Sequence, residues 1–235
     1  MSDRRPNVIW YFGDQHRAQA LSHMGDPNVN TPHIDRLATE GGLTFTNACC
    51  GNPWCTPFRG SLLTTRYSHD CCPRTPSPMD PAWPTVADAF NDAGYHSAYF
   101  GKWHVDGGAK NPSQHIVPPD RRGRFGQWVG YENNNSQYDC YVHGHDAAGD
   151  EIDLYKLPGY ETDALTDLLI DYVKGRRGDD EPFFAVCSVQ PPHWPYVAPP
   201  KFKQRHNPAH VELRPNVPPV PRVEEKARRD LAGYY

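Results

Sequence analysis

Asn7-Val8-Ile9-Trp10-Tyr11-Phe12-Gly13-Asp14 is the stretch that decides the fold. Its apolar core, residues 8–12, runs straight into a glycine and then a carboxylate. A continuous apolar run, rather than an alternating one, marks a strand covered on both faces, as in a parallel sheet. A polar residue directly after such a strand falls where open α/β sheets carry their sites, beyond the carboxyl ends of the strands. Two further strand candidates follow. Residues 95–100 are bounded by Gly94 and Gly101, and residues 182–189 form another β-type apolar run. Residues 43–46 read as one more strand. Between these runs the spacing turns helical. Thr31-Pro32-His33-Ile34-Asp35-Arg36-Leu37-Ala38 has a capping threonine, a first-turn proline and apolar residues at helical spacing, and Gly41-Gly42 stops it. Residues 56–65 and 84–93 carry weaker helical signals. Residues 161–177 form the strongest helix, with Ala164, Leu165, Leu168, Leu169, Tyr172 and Val173 on one stripe. Strands alternating with helices predict an α/β fold whose largely parallel sheet is flanked by helices.

The 235 residues suffice for one well-buried core, and the expected organisation is a single catalytic domain over 1–235. Two loop-rich excursions are expected, at 105–160 and 190–221, in keeping with 25 prolines. The net charge of −4 excludes a strongly basic nucleic-acid binder, and 12% aromatic residues argue against disorder. No run approaches the roughly 20 apolar residues of a membrane span. The N-terminal apolar run is also shorter than a signal-peptide core of about 7–15 residues, so a cytoplasmic location is expected. Seven cysteines, an odd number without paired C-x-x-C spacing, read as reduced thiols rather than disulfides or structural zinc. Cys49-Cys50 and Cys71-Cys72 read as packing residues, and Arg121-Arg122-Gly123-Arg124 as a solvated loop. A helix that begins at residues 224–235 and meets no breaker suggests a chain cut short relative to its fold.

Four short segments carry chemistry. In Cys55-Thr56-Pro57-Phe58-Arg59, the proline in the first turn puts Cys55 at a helix N-terminus, against free N–H groups and the positive end of the dipole. Arg59, four residues on, rises on the same face. In Gly101-Lys102-Trp103-His104, an extended chain would point Lys102 and His104 to one side, a cation and a proton donor suited to an oxyanion. Asp14-Gln15-His16 offers a carboxylate and an amide carbonyl to a hard divalent cation. Pro191-Pro192-His193-Trp194-Pro195 holds His193 between prolines after an apolar strand. Each segment also has a plainer reading: a buried cysteine, an exposed strand end, a turn-capping aspartate and an incidental loop histidine.

Together, and in this order, the four segments resemble the type I sulfatase family of the alkaline-phosphatase-like superfamily. Arg5-Pro6-Asn7-Val8 and Thr31–Ala38 add to the likeness, which is tightest over residues 5–104. The resemblance implies that Cys55 is oxidised by a formylglycine-generating enzyme to formylglycine, whose hydrate attacks the sulfur of a sulfate ester. It implies catalytic roles for Cys55, Arg59, Lys102, His104 and His193. Arg59 would orient the hydrate, Lys102 and His193 would bind sulfate and help the leaving group, and His104 would assist the hydrated aldehyde. It implies a divalent metal, calcium ahead of magnesium, on Asp14, Gln15 and the modified Cys55. Its substrates would be small sulfate esters, with no nucleic acid or membrane partner, and either an oligomer or a complementing C-terminal half would be expected.

Some positions depart from the family pattern. Gln15 stands where many members have a second Asp, Phe58 replaces a small residue, and Thr65 replaces a common Gly. Members are also about twice as long by fold-level analogy, and their later half supplies further metal ligands. Two other readings therefore stand beside the sulfatase. One is a phosphonate monoester or phosphodiester hydrolase on the same scaffold, and the other is a catalytically silent fragment lacking the second metal-ligand pair.

Overall fold

The computed structural model describes residues 5–108 and 111–235; Met1–Arg4, ahead of the apolar run read as too short for a leader, lie outside the described residues. In chain order the elements begin with β1 (Val8–Gly13), α1 (Pro32–Thr39), α2 (Cys55–Thr64), α3 (Ser68–Cys71) and α4 (Val86–Asp92). Next come β2 (His96–Lys102), β3 (Gln127–Tyr131), β4 (Tyr141–His145) and β5 (Glu151–Lys156). The last are α5 (Glu161–Gly175), β6 (Phe183–Val189), α6 (Pro200–Lys203) and α7 (Pro221–Tyr234). Among the described residues no helix is long and apolar enough to cross a membrane. The chain divides into two compact units, one built from residues up to Asp14 with Cys50–Gln190, the other from Gln15–Cys49 with Pro191–Tyr235.

The first unit holds a six-stranded sheet in the order β1-β6-β2-β3-β4-β5. β1, β6, β2 and β3 are mutually parallel, and β4 and β5 add an antiparallel end. Every residue of β6 is buried, as its nearly continuous apolar run, broken only by Ser188, leads one to expect. Phe183, Ala185 and Cys187 pack on one face with Leu165, Leu169 and Tyr172 of α5. Phe184 and Val186 pack on the other with Tyr99, Trp103, Trp128 and Ala87. The α5 stripe is thus the cover of one face, and α2, α4 and the segment after β2 cover the other.

Four expectations need correction. Residues 105–160 are not a loop-rich excursion, because they hold β3, β4 and β5. These strands have only five or six residues each, and β3 and β4 are interrupted by glycine, so periodicity is weak over each one alone. The β4–β5 connection is closed by Asp146, whose backbone bonds Asp150 at 3.0 Å and whose Oδ1 accepts from Ala148 and Asp150. Residues 43–46 are not a strand; Leu43 and Phe45 are exposed, and an alternating tetrapeptide without a neighbour forms no ladder. β1 is a sheet edge and is covered on one face only, leaving Ile9 and Tyr11 each 47% exposed. The arginine run is no solvated loop. Arg122 is buried, makes a bidentate pair with Glu151 at 2.9 and 3.0 Å, and stacks over Trp128. Arg121 and Arg124 pair with Asp106 and Asp88.

All seven cysteines are free. Cys71 and Cys72 are packing residues under α2, where a Cβ on Gly60 would lie 2.7 Å from the Cys72 sulfur. Cys49 and Cys50, by contrast, are exposed.

The second unit carries α1, α6 and α7. Thr31 does not cap α1 through its hydroxyl; it donates instead to Asp35 Oδ1 at 2.8 Å. The end of α7 is fixed by Tyr234, which donates to the Gln15 carbonyl at 2.7 Å, and by Tyr235, which donates to Asp26 at 2.8 Å.

Candidate active site

The site forms where three parallel strands end. β1 delivers Asp14, whose N–H extends the β1–β6 ladder by bonding the Val189 carbonyl at 3.0 Å. β2 delivers Lys102 as its last residue. α2 starts at Cys55, one residue after the extended Trp54, and its first backbone bond runs from Phe58 N–H to the Trp54 carbonyl at 2.9 Å. One turn later Arg59 points inward and is buried.

These four side chains meet. Asp14 Oδ2 pairs with Lys102 Nζ at 2.6 Å and with Arg59 Nη2 at 3.4 Å. Asp14 Oδ1 accepts from the Cys55 thiol at 3.4 Å. With two cations against one carboxylate, this cluster carries a net positive charge, and the helix N-terminus adds to it. Such a place favours a bound anion. Burial pushes the Cys55 thiol up; Lys102 and Arg59 pull it down, while Asp14 pushes it up again, and the net direction is up. An unmodified Cys55 is therefore a protonated, weak nucleophile near neutral pH.

Lys102 and His104 are not an exposed strand end, since both are buried. The extended path stops at Lys102, and His104 lies in the left-handed region with φ 57°. The alternation that would have aligned the two side chains therefore does not extend to His104. Gln15 and His193 belong to the second unit. Gln15 is exposed with φ 62°, and His193 is half-buried, its Nδ1 against the Trp194 carbonyl.

Residues that the sequence did not single out complete the surroundings. Arg59 Nη1 donates to the Lys102 carbonyl at 2.6 Å and to Ser188 Oγ at 2.8 Å. Glu161, the first residue of α5, is buried; its Oε1 accepts from Tyr131 at 2.6 Å and from Gln190 N–H at 2.8 Å, and its Oε2 has no hydrogen-bond partner. A serine inside an all-buried strand and a glutamate on the buried side of a helix were the available signals.

Burial pushes the Glu161 carboxyl up to about 7. The folded chain then holds a proton that the unfolded chain, with its ordinary value of 4.5, releases. Stability from this group is highest below that window and falls as pH rises from 4.5 towards about 7. Glu161→Gln should flatten the decline, measured by urea unfolding on either side of the window. Glu132, also raised to about 7 by burial, keeps part of it. An unchanged decline would mean that Glu161 is not a titrating group.

The mixed sheet, with the candidate site at the ends of its parallel strands, a helix N-terminus at Cys55 and two buried cations, has the alkaline-phosphatase-like fold. The Sulfatase family model matches residues 6–214, and the chain belongs to the sulfatase family. It is 36% identical to the ulvan-active sulfatase of Formosa agariphila, over 98% of this chain and 44% of that protein. It is 31% identical to the endo-4-O-sulfatase of Bacteroides thetaiotaomicron, over 81% of this chain and 43% of that protein. Among solved structures, YidJ of Bacteroides fragilis, named as a candidate sulfatase, superposes with a TM-score of 0.82 at 26% identity, covering 98% of this chain and 54% of that one. The chain spans about half the length of the curated relatives it matches.

Proposed function

We propose that the protein carrying this chain hydrolyses a sulfate ester through a formylglycine made from Cys55, with a sulfated carbohydrate as substrate. The observation that carries the reading is the meeting of Cys55, Asp14, Arg59 and Lys102 at one helix N-terminus and two strand ends. The carbohydrate part rests on the relatives named for ulvan and for a 4-O-sulfate.

The chemistry of the donor set supports a hard divalent cation, calcium or magnesium. A thiol is a soft ligand, but oxidation puts an oxygen at position 55, beside the Asp14 carboxylate. Asp14 and the oxidised residue 55 would hold the cation, with Gln15 as a further oxygen donor. The formylglycine would supply an oxygen nucleophile, and a cation held there would offer Lewis-acid stabilisation of charge on the ester. Arg59 would orient the formylglycine hydrate, Lys102 would bind the sulfate oxygens, and the two cations together would neutralise charge that builds on them. His104 would assist the hydrated aldehyde and His193 would help the leaving group, each as a proton carrier.

The test is co-expression of the whole protein with a formylglycine-generating enzyme. The peptide containing Cys55 should become lighter by about 18 Da, the change from thiol to aldehyde. The product should hydrolyse sulfated oligosaccharide and aryl sulfate in preference to an aryl phosphonate. An unmodified Cys55 under these conditions, or a preference for the phosphonate, would sink the reading.

A further inference from the structure

Ser188 interrupts a strand that is otherwise Phe, Ala, Val and Cys, and it has no exposed surface. Burying a hydroxyl there is costly unless it is bonded. It is bonded, to Arg59 Nη1 at 2.8 Å. The same Nη1 donates to the Lys102 carbonyl at 2.6 Å, and the Tyr99 hydroxyl donates to that carbonyl as well. Ser188 also lies within hydrogen-bond reach of the Tyr99 phenol. The result is a strut joining α2, β2 and β6. The two strands leave no slack at this level. Gly101 pairs with Ser188, and a Cβ on Gly101 would lie 2.2 Å from the Ser188 carbonyl oxygen.

The strut divides the guanidinium. Both N–H bonds of Nη1 are spent on the frame. Nη2 faces Asp14 at 3.4 Å, and the buried Nε has no partner. The fork of Nε and Nη2 is the edge with which arginine grips a tetrahedral oxyanion through two parallel bonds. A guanidinium without the Ser188 bond can rotate about its last side-chain torsions and present a different edge.

We propose that Ser188, backed by Tyr99, is a positioning residue that turns the Nε–Nη2 edge of Arg59 towards the sulfate group. The proposal rests on the sulfatase reading for its ligand, and its test is read by binding as well as turnover.

Inorganic sulfate is titrated calorimetrically into the whole protein and into Ser188→Ala, Ser188→Thr and Tyr99→Phe. Ser188→Ala should weaken sulfate binding by about tenfold to a hundredfold, the scale of a hydrogen bond to a charged group. Ser188→Thr, which keeps the hydroxyl, should restore most of it, and Tyr99→Phe should show a smaller loss. In the matured enzyme the Ser188→Ala loss should appear in kcat/KM, with a raised KM reporting the weaker sulfate binding and the mass change at Cys55 intact. Wild-type sulfate affinity in Ser188→Ala overturns the proposal. Equal losses in the Ala and Thr variants also overturn it, because packing rather than the hydroxyl would then be responsible. A wild type that binds no sulfate overturns it too. A wild type that binds sulfate but cleaves no sulfate ester refutes the function while leaving the titrations to decide Ser188.

Discussion

Cys55→Ala in the whole, matured protein should lower kcat/KM by about 10^4–10^6-fold, the scale of deleting a nucleophile, with the melting temperature nearly unchanged. The side chain is half-buried and makes one weak sulfur contact, to Asp14 at 3.4 Å, so little folding energy is at stake. The loss should match that of wild type produced without the maturation enzyme, because burial and Asp14 hold the plain thiol protonated. Steady-state kinetics on the three preparations tests this. Substantial turnover by either inactive form would place the nucleophile elsewhere.

Lys102→Ala should lower kcat/KM by about 10^2–10^3-fold, the scale of one lost oxyanion donor, and should also destabilise the fold. A strand-end lysine in solvent would leave stability unchanged. This one has a side chain 1% exposed and a carboxylate 2.6 Å away. Removing one partner of a buried pair costs about 3–5 kcal/mol. Arg59, 3.4 Å from the same carboxylate oxygen, remains as a second cation, so the lower end is expected. Kinetics and urea unfolding of the same variant give both numbers. Full stability would mean that Asp14 finds compensation elsewhere, and full activity would remove Lys102 from the oxyanion site.

Much of the scaffold was legible because its signals are local. β1 and β6 are largely apolar runs, β2 is a short β-type segment set between two glycines, Gly94 and Gly101, and α5 carries a full apolar stripe. Cys55 and Arg59 were legible because helical spacing fixes which face they share. The β4–β5 hairpin was not, since its evidence is a pairing between short strands and not a pattern within either. Burial was illegible for the same reason. Arg122 is buried by Trp128 and Glu151, and Lys102 by Asp14, 88 residues away. Ser188 reads as one polar interruption until the Arg59 side chain is seen to end on it.

β1 has one hydrogen-bonded neighbour in the sheet, β6, and the first clasp between their entrances, Phe183 N–H to Asn7 Oδ1 at 3.0 Å, spans 176 residues. Closing so large a loop costs entropy that the ladder must return, and parallel pairings of this kind are intrinsically slow to form. Asp14 is carried at the far end of β1, so the carboxylate that balances Arg59 and Lys102 is held in place by the longest-range pairing of the site. A substitution that loosened the β1–β6 ladder would leave those two cations without their counter-charge.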